Sequence, residues 1–113
     1  MVSKDDLDAI TSSLSQIYLE RAVSLHASAK VSRDAGNERE ALDFFREAIY
    51  YYESAKQYDL AADACMDAGL KARAMDDFVL AGSYGRAATL AEELGFCDLA
   101  SQYWKMSRTK NSN

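Results

Sequence analysis

Residues 56–94 read KQYDLAADACMDA, GLKARAMDDFVLA and GSYGRAATLAEEL, three consecutive segments of thirteen. In each, an alanine stands five residues after the start: Ala61, Ala74 and Ala87. Offsets nine and twelve hold Cys65 and Ala68, then Phe78 and Ala81, then Ala91 and Leu94. A further start at Gly95 continues with Ala100, Trp104 and Ser107, and one upstream at Gly36 gives Ala41, Phe45 and Ala48. A fixed internal period decides architecture before any single residue does. An alanine followed by residues four and then three positions on lies along one face of a helix. The small residue lets a neighbouring helix come close, and the larger one fills the groove. Glycine just past a helix end takes the left-handed conformation without a Cβ clash, so Gly69, Gly82 and Gly95 read as three helix stops.

The rest of the chain agrees. There is no proline among the 113 residues, and 49% of them are hydrophobic against 27% charged. Alanine favours helix most, while proline costs roughly 3 kcal/mol inside one. The expected map is a long helical segment over 4–34, then helices over 38–55, 59–68, 70–81, 83–94 and 96–107. A flexible tail follows over 109–113, and residues 1–108 form a single helical domain. Leu7, Ile10, Leu14 and Ile17 make one apolar stripe on the first segment, which then drifts to Tyr18, Ala22, Leu25 and Ala29. Ser3-x-x-Asp6 and Ser13-x-x-Gln16 both have capping-box spacing, so the second could restart the helix after a break near Thr11. Helices of ten to twelve residues are marginal alone and must be held by their neighbours. Connections of one to three residues make those neighbours antiparallel.

Composition narrows function. The net charge is −5, spread over both halves, and such a surface repels phosphate backbones, which disfavours nucleic acid. No apolar run reaches the ~20 residues that span a bilayer, so membrane insertion is not expected. Cys65 and Cys97 stand far apart, as expected of a reduced, cytoplasmic protein. Chemistry is hard to assemble. His26 is the sole histidine, and nothing in its spacing builds a zinc site or a triad. No glycine-rich phosphate loop occurs, and Cys65 falls on a core position. Asp59, Asp63 and Asp67, spaced by four, read as a solvated helix face. The chain is therefore expected to be no enzyme and to use no cofactor or metal. Trp104, at the large position of its unit, is expected to be buried.

Gly36-Asn37, Ala41, Phe45 and Ala48 resemble the turn and second helix of a tetratricopeptide repeat, and Tyr58 and Tyr84 stand where that motif favours tyrosine. The short units, such as residues 61–69, resemble the helical repeats of the soluble NSF attachment proteins. Leu19–Ala55 resembles an MIT (microtubule-interacting and trafficking) helix pair with its turn at residues 34–37. These resemblances imply an all-α fold of short antiparallel helical hairpins, stacked as a small right-handed solenoid. They imply an adaptor or scaffold that binds a protein or peptide in a groove between hairpins. The alternative is a self-associating structural subunit. His26, Lys30 and Arg33 share a face by their spacing. In the tetratricopeptide-like register that face looks into the groove, where it could grip an acidic segment. In the run Tyr50-Tyr51-Tyr52, Tyr52 continues the core stripe, and Tyr50 or Tyr51 is left at the edge as a second candidate contact.

Overall fold

A computed structural model describes residues 2–111. Six helices occupy them: α1 (Lys4–Asp34), α2 (Glu38–Ser54), α3 (Tyr58–Ala68), α4 (Lys71–Leu80), α5 (Tyr84–Glu93) and α6 (Cys97–Asn111). There is no strand among the described residues, so the protein is all-α. Two local expectations are corrected. First, α1 runs unbroken through Thr11-Ser12-Ser13. The Thr11 hydroxyl donates to the Leu7 carbonyl one turn back (2.9 Å), which satisfies it within the helix. The capping box that forms is the one at Ser3 and Asp6. Second, α6 continues to Asn111 through the expected tail, whose residues 112–113 lie outside the described part.

The period has a single cause, repeated five times. Gly36, Gly69, Gly82 and Gly95 all have φ between 77° and 85°, and Lys56 stands in the same left-handed region at φ 59°. Each is followed by the same pair of hydrogen bonds. At Gly82, for example, its own N–H donates to Val79 O (3.0 Å), and the next N–H, of Ser83, donates to Phe78 O (2.8 Å). This double bond pattern closes the carbonyls left open at a helix end. The residue after the stop is already the N-cap of the next helix. Its carbonyl accepts from the amide four residues on, as in Ala74→Leu70, Ala87→Ser83 and Ala100→Phe96. The alanine at offset five is thus the first residue committed to the new helix. It is buried in all five units.

By backbone contacts the chain divides into two compact units, Met1–Gln57 and Tyr58–Asn113. In the first, α1 packs against α2 around Ala22, Leu25, Ala29, Ala41, Phe45, Ala48, Ile49 and Tyr52. The two helices differ in length. At 1.5 Å per residue, α1 spans about 46 Å and α2 about 25 Å, so α2 covers only the C-terminal part of its partner.

In the second unit α3 packs on α4, α4 on α5 and α5 on α6. Its core is built from Ala61, Ala64, Cys65, Ala74, Met75, Phe78, Ala87, Leu90 and Ala91. Two of the aspartates on the expected solvated face, Asp59 and Asp63, stay at the surface and also tie helices together. The Ser83 hydroxyl donates to Asp59 (2.9 Å), and Arg86 bonds Asp63 (3.2 Å) while its guanidinium lies 4.3 Å from the centre of the Phe78 ring. Asp77, one member of an Asp-Asp pair with no special spacing, is 2% exposed and accepts from the Cys65 thiol (3.6 Å). Trp104 departs from the expectation of burial. It is 36% exposed and held at the surface by donation from its indole N–H to Glu92 (2.6 Å). Its ring edge lies beside Gly85 of α5, where a Cβ would meet it at 3.7 Å.

Candidate functional site

Three consecutive helix-facing choices in the first unit fix where its functional side chains can point. The buried row Ala22, Leu25, Ala29 and Ser32 turns α1 toward α2. At 100° per residue, His26, Lys30 and Arg33 then fall on one flank of that row, and Ser24, Ser28 and Val31 on the other. The basic flank is engaged with α2. His26 is half-buried, shares a hydrogen bond with the Tyr52 hydroxyl (3.1 Å) and meets the Phe45 and Tyr52 rings edge-on. The Arg33 guanidinium lies 5.2 Å from the Phe45 ring centre, and Lys30 is exposed.

On the other flank a shallow groove is lined by Ser24, Ala27, Ser28, Val31, Ser32 and Phe44. Two turns along from Phe44 stands Tyr51, whose ring packs against Tyr18 (centroids 5.9 Å apart) and carries Arg21 at 6.0 Å. Tyr50 packs edge-on to Tyr51 at 5.3 Å and remains 60% exposed. The five residues singled out from the sequence therefore divide. His26, Lys30 and Arg33 stand on one flank, and Tyr51, with Tyr50 against it, joins Tyr18 and Arg21.

Sequence reasoning missed Tyr18 and Arg21. Their spacing of three, set against the tyrosine run, was the available signal, but it needs the hairpin pairing to become a cluster. In comparisons with protein-family models, curated proteins and solved structures, none matches the chain. Among the described residues, no group of three His, Cys, Asp or Glu side chains could hold a metal ion, and no helix is long and apolar enough to cross a membrane.

Proposed function

We infer that the chain is a non-catalytic protein–protein interaction module, a cytoplasmic adaptor or scaffold of tetratricopeptide-like helical repeats. In this reading the helices of each unit pair as antiparallel hairpins and stack with the right-handed sense of such repeats. The five identical helix stops, two- to three-residue connections and neighbour-by-neighbour packing support it.

The observation that carries the function is the Tyr18, Arg21, Tyr50 and Tyr51 cluster beside the Phe44 groove. Tyrosine and arginine are the side chains most enriched where binding energy concentrates. Here they are stacked on one another and mounted on helices, so little conformational freedom remains to be lost on binding. The partner is a protein or peptide segment, helical or extended. An acidic one would also engage the basic side chains Lys30 and Arg33 of the opposite flank.

The test is capture from a lysate of the source organism by the purified chain, compared with Tyr50→Ala and with the Lys30→Glu, Arg33→Glu pair. A partner held by the wild type should bind Tyr50→Ala at least about tenfold more weakly, a loss of ~1.4 kcal/mol or more. Melting temperatures should be unchanged because Tyr50 is exposed. Equal affinity for wild type and Tyr50→Ala removes the cluster from the mechanism. Equal affinity for the charge-reversed pair removes the acidic segment.

A further inference from the structure

Leu7, Ile10, Leu14 and Ile17 all stand on the part of α1 that α2 does not reach, and each is between 45% and 57% exposed. The first turn of this segment is closed by a reciprocal cap, with the Asp6 amide donating to Ser3 Oγ (3.1 Å) and the Ser3 amide to Asp6 Oδ2 (3.4 Å). It is a finished helix with an unfinished face. We propose that this face associates with the same face of further copies of the chain, in a bundle of more than two helices. The proposal uses a surface separate from the tyrosine cluster and does not depend on it.

Four features choose the occupant. The first is register. Steps of three, four and three make Leu7 and Leu14 the a positions and Ile10 and Ile17 the d positions of two heptads. Leucine at a with isoleucine at d favours three- or four-stranded bundles over pairs. The second is charge. The residues flanking this seam at e and g are Asp6, Thr11, Ser13, Tyr18 and Glu20, and residues 9–19 contain no charged side chain at all. Copies brought together meet like charge only at the two ends of the seam, whereas a basic partner helix would find only Asp6 and Glu20 to pair with. An anionic membrane surface would call for lysines and arginines on the polar face, and that face carries Asp5, Asp8, Ser12, Ser15 and Gln16.

The third feature is area. A leucine or isoleucine side chain buries on the order of 100 Å² when fully covered, and half of that is already covered here. Two chains meeting along one seam fall far below the ~1,600 Å² of a standard interface, and each further chain adds its own seam to the area buried. The fourth is preorganisation. The segment is helical before it associates, so ordering it costs little.

Sedimentation or light scattering across a concentration series, from micromolar to near-millimolar, reads the result directly. The wild type should approach roughly three to four times the 12.5 kDa chain mass. The Leu14→Asp, Ile17→Asp variant should stay at one chain mass with the helical circular dichroism of the wild type, because both side chains are exposed. Exchanging the seam (Leu7→Ile, Leu14→Ile, Ile10→Leu, Ile17→Leu) should bring the assembly down to two chain masses, a change that a merely adhesive patch would not show. A wild type that remains monomeric throughout overturns the proposal. So does an assembly that survives Leu14→Asp, Ile17→Asp, one whose mass ignores the seam exchange, or a monomer that instead floats with neutral lipid vesicles.

Discussion

Helix α1 carries two apolar stripes in one continuous rod, and they end differently. Ala22, Leu25 and Ala29 are buried under α2, whereas Leu7, Ile10, Leu14 and Ile17 keep about half their surface. Spacing and helical order do not separate them. What separates them is the length of the facing helix, since α2 turns at Gly36 and stops at Ser54 and thus lies alongside only the later part of α1. An amphipathic stripe specifies a face that wants cover. It does not say what covers it.

The sharpest way to break this comparison is to cut the same side chain from both ends. Leu25→Ala removes a buried leucine and leaves a cavity between α1 and α2, which should cost about 2–5 kcal/mol. Leu14→Ala removes a half-exposed one and should change stability by less than about 0.5 kcal/mol, measured by urea unfolding at concentrations too low for copies to associate. Comparable losses would mean that the N-terminal turns of α1 are packed within the single chain.

A smaller effect separates buried from exposed carboxylates in the second unit. Asp77→Ala takes away the acceptor of the Cys65 thiol deep between α3 and α4, and should cost about 1–3 kcal/mol. Asp63→Ala breaks an ion pair with Arg86 whose two side chains are each about half exposed, and should cost under about 1 kcal/mol. Chemical denaturation of the two variants side by side measures the difference, and reversed magnitudes would contradict this placement of the two groups.

Trp104 extends the same lesson to the other end of the chain. It stands at the repeat position that Phe45 and Phe78 fill in the core, yet its ring is packed from one side, against α5 at Gly85. Trp104→Ala should therefore cost about 1–2 kcal/mol, a transfer contribution without the cavity left by a fully enclosed ring. A loss of 3 kcal/mol or more, the usual figure for a buried aromatic, would place the indole in the core after all.

These cases mark how much the sequence could disclose. Helix number, helix type and the three stops at Gly69, Gly82 and Gly95 follow from local chemistry: alanine spacing, glycine at the left-handed position and the absence of proline. The basic trio could also be placed on one helix face from spacing alone, whereas spacing left Tyr50 and Tyr51 as alternatives for the exposed edge. Three things could not be read there. The fate of Leu7–Ile17 depends on where α2 ends. Asp77 and Asp76 are adjacent acids, and only the packing of α4 on α3 distinguishes the buried one. Tyr18 and Arg21 become part of a site only once α2 lays Tyr51 beside them.

The smallest expected effect tests the stop that generates the period. At four of the five stops the left-handed residue is glycine, and at the fifth it is Lys56, with φ 59°. A side chain with a Cβ loses roughly 1–2 kcal/mol in this conformation. Lys56→Gly removes that strain but gives the unfolded chain more freedom, which returns part of the gain. The net should be a stabilisation of about 0.5–1 kcal/mol, seen as a higher urea midpoint with an unchanged slope. Gly69→Ala is the mirror experiment. No atom lies within 4 Å of the added Cβ, so nothing collides with it and the loss of about 1 kcal/mol or slightly more would come from the backbone alone. If Lys56→Gly destabilises the chain, the lysine side chain contributes something that outweighs its strained backbone. If Gly69→Ala is silent, the left-handed stop is not what fixes the thirteen-residue spacing, and the close packing of Ala61, Ala74 and Ala87 would have to set it instead.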